Sequence, residues 1–506
     1  KIREGEAYYY VDKTPWIQKM IAEGSFYFLS RPRRFGKSLL LDTLKELFEG
    51  NQPLFEGLDI YDKWNWKESH PVLKFSFGAG EIHSVADLYK RIRTWLEDYA
   101  KKWGYDPSSE NFKIADYFQY LTRHMVEQSS QKVVVLIDEY DKPILDNIHD
   151  KEVAAELRDA LRDFYSCIKE NDAYIHFAFL TGITRFSKVS IFSGLNNLND
   201  ITLDRAYSAL CGYTEEDLDT VFTPELEGID RKKFRSWYNG YNWCGEAVYN
   251  PFDALLYFQK RRFEPFWFDT GTPSFLVELL AEKKFYTPGL KKLHTGSDLL
   301  SAFSVENLQV EPLLFQTGYL TILEEKELLD GVWEYQLSYP NKEVEYSLNN
   351  SLLTAYGISE EVLANKRTEG VGCLMEGNPQ KLENVLKSLF ASIPHDWYRK
   401  NPISDYEGYY ASVFYSYLSA CGLDIRAEDA THAGNIDLTC LLEDTAWLFE
   451  FKVKPNENSS TTALQQLKDK AYADKYRSDY STIYAVGIEF NKETRTLTSF
   501  EWEVIK

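Results

Sequence analysis

Three absences limit what this chain can be. Its 506 positions contain no apolar run as long as about eighteen residues, and residues 1–14 contain no apolar core, so we expect neither a transmembrane helix nor a signal peptide. The six cysteines form no CxxC pair, a pattern typical of reduced thiols in a cytoplasmic protein rather than of a disulfide framework or a zinc site. A net charge of −21 excludes a broadly basic surface, so contact with nucleic acid would need a local basic patch or a bound metal.

Short apolar runs are present instead, and they indicate an α/β domain over residues 1–211. Four of these runs, nearly continuous in apolar character, predict buried strands at 26–30, 71–77, 132–139 and 175–182. Amphipathic helical patterns separate the runs. This order is typical of a parallel sheet that is covered on both faces.

The rest of the chain divides into three stretches. Residues 212–340 are mostly helical and end in two strand-like runs around the acidic segment 324–331, a hairpin compatible with the wing of a winged helix. Residues 341–400 predict a helical connector. Residues 401–506 predict a compact α/β domain made of a helix, a hairpin, a second helix and a final strand.

The segment RPRRFGKS ends like a phosphate-binding P-loop, but Arg31 stands where the template has its first glycine. Gly36 would let the backbone curl so that amide groups point at phosphates, and the following helix would add its positive N-terminus. Lys37 would neutralise the β and γ phosphates, and Ser38 would offer its hydroxyl to Mg²⁺. Arg31 and Arg34 would add positive charge to the loop. Taken alone, the segment is also compatible with a basic turn before an amphipathic helix.

A second nucleotide motif follows in VVVLIDEYDKP, where apolar residues end in Asp138 and Glu139. In a Walker B element of this form, Asp138 would hold Mg²⁺ and Glu139 would polarise the attacking water. At the end of the fourth strand, Thr181 lies where a sensor of the γ-phosphate is expected. Arg185 could reach the phosphates or act in trans within a homo-oligomer. The plainer alternatives are a strand with a charged end, a capping Thr and a solvated Arg.

The segment GNIDLTCLLEDTAWLFEFKVK predicts two strands around a tight turn, and a two-residue loop would place Asp437 opposite Glu450. Two facing carboxylates repel each other unless a cation such as Mg²⁺ or Mn²⁺ lies between them. Lys452, on the same face, could orient a water or stabilise charge on a phosphate. This spacing is the D…ExK arrangement of PD-(D/E)xK nucleases, and Glu407 at the start of the preceding helix could add a carboxylate. A solvated charged face is the plainer alternative.

Further segments occur along the chain in this order: YYVDKT, RPRRFGKSLLLDTL, LIDEYDKPI, LTGITRFSKVSIFSGLNNLNDIT, CGYTEEDL, WYNGY and YNPFDALLYF. Over nearly its whole length the chain resembles AAA-ATPase-like proteins with a C-terminal PD-(D/E)xK nuclease-type domain, which are common in gut and other anaerobic bacteria. The resemblance implies a P-loop NTPase domain, a C-terminal restriction-endonuclease-like α/β domain, and ATP as the nucleotide. In that family the RPRRFGKS form of the loop is the usual one.

The resemblance also implies supporting residues at the nuclease-type site. The segment ALQQLKDKAYADKY matches the family's helix pattern, which implies that Gln466, Lys470 and Tyr472 lie near the carboxylates. One departure is Asn435, where the family often has the arginine of a GRxD motif. Its absence would weaken phosphate binding without removing the metal ligands.

These observations predict an ATPase domain that controls a metal-dependent phosphodiesterase acting on DNA or RNA. Two alternatives stay open: a nucleotide-driven switch whose C-terminal domain only binds a partner or nucleic acid, and a scaffold in which both hydrolase sites are degenerate. Residues 401–506 carry 10 Lys and Arg against 17 Asp and Glu, a net charge of −7. A duplex would therefore approach this domain only with metal neutralisation or help from another domain.

Overall fold

The computed structural model divides into two compact units, which are described separately. The first holds residues 1–267 and 294–341, and the second holds residues 268–293 and 342–506. The predicted boundaries at 211 and 400 fall inside these units, and the one at 340 lies beside a change of unit. The residues that the structure describes are 2–3, 8–106, 113–185, 197–268, 276–277, 279–280, 285–296, 309–393, 407–454, 462–491, 494 and 496–506.

A parallel five-stranded sheet forms the centre of the first unit, which confirms the fold predicted from the apolar runs. The spatial order is β2-β3-β4-β1-β5, so β4 lies between β1 and β3. Every residue of β3 is buried, as expected for a parallel strand covered on both faces. In chain order the strands are β1 (Phe26–Ser30), β2 (Val72–Ser76), β3 (Val133–Asp138), β4 (Ile175–Gly182) and β5 (Asn199–Asp200).

Helices flank these strands, and local chemistry fixes several of their ends. Ser84 caps α3 by accepting a hydrogen bond from the N–H of Asp87, and Gly104 ends the same helix with a φ of 68°. Asp150 caps α6 by accepting from two backbone N–H groups. The helices are α1 (Thr14–Glu23), α2 (Lys37–Phe48), α3 (Val85–Trp103), α4 (Ile114–Ser129), α5 (Lys142–Leu145) and α6 (Lys151–Glu170).

The remainder of the first unit is mainly helical and ends in a small sheet of order β6-β8-β7, in which β7 and β8 are antiparallel. The β7–β8 hairpin is longer than expected, because most of the acidic segment is strand and only Asp330 and Gly331 form the turn, with Gly331 at a φ of 75°. The elements are α7 (Glu215–Val221), α8 (Arg231–Tyr238), α9 (Pro251–Lys260), β6 (Leu293–Gly296), α10 (Val310–Thr317), β7 (Thr321–Leu329) and β8 (Val332–Ser338).

The second unit combines helices with a mixed sheet of order β13-β12-β11-β10-β9, in which only β11 and β12 are parallel neighbours. Its α/β character is as predicted. The sequence predicts one strand after the second helix where the structure has two, and it does not predict β9, in which four of eight residues are charged. The elements are α11 (Lys342–Ala355), α12 (Glu360–Met375), α13 (Pro379–Ala391), α14 (Glu407–Ala420), β9 (Asp424–Thr431), β10 (Gly434–Leu442), β11 (Thr445–Lys454), α15 (Ala463–Asp469), β12 (Thr482–Asn491) and β13 (Leu497–Val504).

Within the described residues, no helix is long and apolar enough to cross a membrane. All six cysteines are free thiols. Short 3₁₀ helices lie at Gln52–Phe55, Asp172–Tyr174, Arg205–Tyr207, Thr223–Leu226, Thr287–Lys292 and Tyr472–Tyr476.

Arg31 points into the first unit and is fully buried, so its charge lies in the interior of the unit and not on the exposed surface of the loop. Its guanidinium donates to the carbonyls of Ser30 at 2.8 Å, Thr202 at 2.9 Å and Tyr207 at 3.2 Å. The same group lies 4.1 Å from the ring centroid of Trp243. Burial lowers the pKa of Arg31 to about 10, which still leaves the guanidinium charged at neutral pH. Arg31 therefore anchors the end of β1 to a later part of the chain.

Two histidine rings stack at the amino end of the same sheet. The ring centroids of His70 and His176 are 4.1 Å apart, and Phe48 meets both rings edge-on. Burial lowers the pKa of His176. The neighbouring His70 and Lys132 lower this pKa further, whereas Glu68 raises it. The folded protein therefore favours the neutral form of His176.

Restoring the template glycine with Arg31→Gly is expected to destabilise the first unit. The change removes the donor from three carbonyls and leaves a cavity beside Trp243, a loss of about 3 kcal/mol in the free energy of unfolding. Urea unfolding of the purified protein measures it. Arg34→Gly is the matched control, because Arg34 is exposed and already has a φ of 69°, where glycine is favoured. Equal stabilities of the two variants would contradict the anchoring role.

The lowered pKa of His176 also predicts a pH dependence of stability. The unfolded chain binds the proton more readily than the folded protein does. The contribution of neutral His176 to the free energy of unfolding is therefore fully present above the ordinary pKa of 6.5. It is lost as the pH drops from that value toward the lower pKa of the folded state. His176→Phe keeps a ring in the stack and removes the titration, so its melting temperature should fall less than that of the wild type between pH 7 and pH 5.5. His432→Phe, at an exposed position, should behave as the wild type does. Parallel pH profiles for wild type and His176→Phe would refute this.

Candidate functional site

The carboxyl ends of β1, β4 and β3 lie side by side at one edge of the parallel sheet. Helix α2 begins at this edge with Lys37, and Asp138 ends β3 there. Gly36, directly before the helix, has a φ of 88°, a left-handed conformation that favours glycine. The fold therefore brings the loop and the acidic strand end together.

Lys37 lies beneath the loop and is only 6% exposed. Its ammonium donates to the carbonyls of Arg31 at 2.9 Å and Pro32 at 2.8 Å. Burial lowers the pKa of Lys37, and Asp138 opposes this shift. The side chain of Ser38 is exposed at the first turn of α2. Phosphate oxygens, as stronger acceptors, could replace the two carbonyls as partners of the ammonium.

The acidic strand end contains a buried oxygen that suits a cation. Asp138 is 3% exposed, and its Oδ1 atom has no hydrogen-bond partner within the described residues. Glu139, the next residue, has a φ of 52°, and burial raises its pKa while Lys37 opposes the shift. An orphaned carboxylate oxygen is costly to bury, and a hard cation such as Mg²⁺ would satisfy it. Asp138 and the exposed hydroxyl of Ser38 therefore fit an ATP-bound Mg²⁺.

Asp141 is a part of this edge that sequence reasoning missed. Its fully buried carboxylate accepts from the N–H of Ile183 at 3.1 Å and from the N–H of Thr184 at 2.6 Å. Gly182 makes room for it, since a Cβ there would lie 2.4 Å from Asp141 Oδ1. These contacts fasten the segment after β3 to the segment after β4. In the sequence, the second aspartate of the segment IDEYD is the feature that could have pointed to this contact.

Thr181 and Arg185 make contacts inside the protein. The hydroxyl of Thr181 donates to the carbonyl of Leu29 at 2.9 Å, which joins β4 to β1. The guanidinium of Arg185 pairs with Asp200, and its backbone N–H donates to the side-chain oxygen of Gln316 at 2.8 Å. Contact of either side chain with a phosphate would require these partners to be exchanged.

A pocket of about 440 Å³ opens beside the loop and is lined mainly by apolar and aromatic side chains. Tyr10, Phe35, Tyr213 and Phe252 are among them. The guanidinium of Arg34 lies 4.8 Å from the ring centroid of Phe252 at this pocket. Apolar and aromatic walls next to the RPRRFGKS loop would suit the base and sugar of a nucleotide.

The second candidate site lies on the β10–β11 hairpin of the second unit. Leu442 pairs with Thr445, so the loop has the two residues that were expected, and Leu438 pairs with Phe449. Beyond that pair the ladder opens, because the N–H of Phe451 donates to Oδ2 of Asp437 at 2.8 Å. This contact holds the Asp437 carboxylate against β11, next to Glu450.

The opening of the ladder changes the side-chain alternation of β10. Strict alternation predicts that Ile436 shares a face with Leu438. Instead Ile436 packs in one cluster with Leu441 and Leu448, so that expectation is wrong. The irregularity at Asp437 moves the preceding residue to the other face of the sheet.

Glu450 is the most buried carboxylate of the hairpin, at 2% exposed. Gln466 donates its side-chain N–H to Oε1 of Glu450, whereas Oε2 has no hydrogen-bond partner within the part of the chain described. Burial, followed by the charge of Asp437, raises the pKa of Glu450 to about 8, and Lys470 and Lys452 oppose the shift. A divalent cation would satisfy the orphaned oxygen and remove the repulsion, so the residues fit Mg²⁺ or Mn²⁺.

The predicted supporting residues lie at different points around these carboxylates. Lys470 and Tyr472 approach Gly434, where a Cβ would lie 3.4 Å from the ammonium and 2.9 Å from the hydroxyl. Lys452, two residues after Glu450 on β11, is partly buried. Glu407 begins α14, but its side chain lies outside the described residues.

Asp437 and Glu450 are the two carboxylates that the described residues offer to a cation at this site. Across the described ranges, no group of three His, Cys, Asp or Glu side chains is placed to hold a metal ion. Asp437 and Glu450 supply two carboxylates, and Mg²⁺ commonly keeps several waters and substrate phosphate oxygens. The arrangement is therefore that of an open site rather than of a closed structural one.

Comparisons with known proteins agree with this geometry. A family described as "Predicted AAA-ATPase" matches residues 1–192, and one described as "PD-(D/E)XK nuclease superfamily" matches residues 405–500. The chain is 52% identical over 501 residues to an "Uncharacterized protein in vnfD 5'region" from Azotobacter chroococcum mcd 1, across 99% of this chain and 96% of that relative. The chain therefore belongs to the family of predicted AAA-ATPases that carry a C-terminal domain of the PD-(D/E)XK nuclease superfamily.

Proposed function

We propose that this protein binds and hydrolyses ATP in its first unit and cleaves phosphodiester bonds of DNA or RNA in its second unit, with a divalent cation. The observation that carries the nuclease proposal is the pair formed by Asp437 and Glu450, in which a buried oxygen of Glu450 has no hydrogen-bond partner among the described residues. The observation that supports ATP binding is the buried ammonium of Lys37 under a loop beside Asp138.

In the first unit, each residue has a distinct proposed role. Gly36 and Lys37 bind the phosphates through backbone amides and the ammonium, and Ser38 and Asp138 hold Mg²⁺. Glu139 orients the attacking water and accepts its proton, a role that suits a carboxylate whose pKa is raised by burial.

Arg34 contributes charge at the mouth of the base pocket, where it lies over Phe252. Thr181 and Arg185 respond to the γ-phosphate after releasing Leu29 and Asp200. That release would make them reporters of nucleotide state rather than permanent ligands.

In the second unit, Asp437 and Glu450 would hold the cation, which would activate a water for attack and act as a Lewis acid that stabilises the charge on the phosphate. Lys452 stabilises the charge that develops on the phosphate oxygens, and Lys470 adds positive charge from α15. Gln466 fixes Oε1 of Glu450. Glu407 and Tyr472 complete the proposed surroundings of the site.

A hydrogen bond at the P-loop supports control of one unit by the other. The indole N–H of Trp267 donates to the carbonyl of Arg33 at 3.0 Å, and Trp267 is the last residue before the chain enters the second unit. A change in loop backbone on nucleotide binding would therefore act directly on this connection.

A second candidate function is a nucleotide-driven switch in which the second unit only binds a partner or nucleic acid. The net charge of −7 over residues 401–506 favours the form of this switch that binds a partner, because a duplex is not attracted to such a surface. The two functions differ in whether a phosphodiester is cleaved.

Lys37→Ala is expected to weaken ATP binding by about 10- to 100-fold, since it removes a buried charge-assisted donor. Fluorescence anisotropy with a labelled ATP analogue measures the affinity. Lys45→Ala is the control: Lys45 lies on the same helix but pairs with Glu46 and Glu49. ATP affinity that is unchanged in Lys37→Ala would place the nucleotide elsewhere.

Glu450→Gln is expected to reduce cleavage of DNA or RNA by about 100-fold, because it removes one of two charged ligands of the cation. The assay uses labelled single- and double-stranded DNA and RNA with Mg²⁺ or Mn²⁺, with and without ATP. Glu443→Gln makes the same change at the exposed turn of the hairpin and should leave cleavage unaltered. Cleavage that survives in Glu450→Gln excludes this site. ATP binding without any cleavage by wild type would favour the switch.

A further inference from the structure

Gly487 on β12 lies where a helix rests directly on the sheet. It pairs with Glu450 in the parallel β11–β12 ladder, so the two residues lie side by side on one face. A Cβ built on Gly487 would lie 2.2 Å from the backbone nitrogen of Leu464 and 2.9 Å from the carbonyl carbon of Ala463. Both atoms belong to the backbone of α15. The absence of a side chain therefore sets how closely α15 approaches the sheet.

Glu489, two residues further along β12, fastens the start of the same helix. Its Oε1 accepts from the N–H of Ala463 at 3.2 Å, and its Oε2 pairs with the ammonium of Lys454 at 2.8 Å. Glu489 is nearly fully buried, so this carboxylate is held in one place. Glu489 pairs with Lys452 in the ladder, which puts the contact on the face that carries Glu450.

Helix α15 places the side chain of Gln466 next to the candidate metal site. Gln466 follows Ala463 by one turn of α15 and donates its amide N–H to Oε1 of Glu450. The bond orients the carboxylate, and the other oxygen, Oε2, keeps no partner within the described residues. A small displacement of α15 would break this bond, because a hydrogen bond weakens steeply with distance and angle.

We propose that Gly487 and Glu489 are positioning residues for the cation site. They hold α15 close enough to the sheet for Gln466 to donate its hydrogen bond to Glu450 and so orient that carboxylate. The inference rests on the proposed function only in that the cation binds at Asp437 and Glu450. Neither positioning residue touches the cation; both act through the helix. Groups of this kind, one layer behind the ligands, typically change metal affinity by about 10- to 100-fold.

The test is calorimetric titration of the full chain with Mn²⁺, without nucleotide or substrate, and with Glu450→Ala as the reference that identifies the site. Gly487→Ala should weaken Mn²⁺ binding by about 10-fold, because the added methyl group displaces α15. Gly372→Ala is the matched control. That glycine lies in α12 of the same unit, with nothing within 4 Å of the added Cβ, so the affinity should stay at the wild-type value.

A double-mutant cycle separates positioning from a general loss of structure. If Gly487 acts through Gln466, then Gly487→Ala combined with Gln466→Ala should bind Mn²⁺ no more weakly than Gln466→Ala alone. Additive losses would overturn the proposal, because they would mean that the two residues act independently. Wild-type affinity in a folded Gly487→Ala protein would overturn it as well.

Glu489→Gln provides a second variant if Gly487→Ala does not fold. The amide keeps an acceptor for the N–H of Ala463 but loses the ion pair with Lys454, so Mn²⁺ binding should weaken by less than in Gln466→Ala. Unchanged binding in this variant would remove the support for Glu489. If wild type and Glu450→Ala bind Mn²⁺ alike, the proposed metal site itself fails, and the positioning role fails with it.

Discussion

The buried positive charges of Lys37 and Arg31 at the RPRRFGKS loop are the constraint on which the first unit depends. Lys37 holds the loop through the carbonyls of Arg31 and Pro32, and Arg31 in turn holds the end of β1 through three further carbonyls. A buried charge is tolerated only when acceptors surround it, so these contacts leave the backbone of the loop little freedom. These contacts describe the loop without a nucleotide, and Lys37 would have to exchange the two carbonyls for phosphate oxygens if a nucleotide bound there.

In the second unit the corresponding groups are acidic, and they are the half-buried carboxylate of Asp437 and the buried carboxylate of Glu450. Asp437 takes a backbone N–H of β11 as its donor and so opens the hairpin at the point where Glu450 is buried. The sheet loses regular pairing there, and the two carboxylates gain a place in which they face each other. Irregular pairing of this kind is retained when the surrounding packing compensates for it. Here α15 supplies that packing through its direct contact with Gly487.

The sequence was sufficient for those parts of the fold that depend on contiguous patterns. Continuous apolar runs located β1 to β4 within a residue or so, and the length of the turn was enough to place Asp437 next to Glu450. What it could not provide were features that depend on distant partners. The inward direction of Arg31 depends on carbonyls of residues 202 and 207, and the role of Asp141 depends on the segment after β4. The change of face at Ile436 accompanies the side-chain contact that its neighbour Asp437 makes with β11.

The burial of Arg31 restricts how position 31 of this loop can change among relatives. Its guanidinium lies against the ring of Trp243 and fills space that a glycine would leave empty. A lineage that returned to the template glycine would pass through a less stable protein unless Trp243 and its neighbours changed as well. Arg31 and Trp243 should therefore be gained or lost together among relatives. Searches that demand the first glycine of the P-loop will miss such chains, although their Gly36-Lys37-Ser38 end is intact.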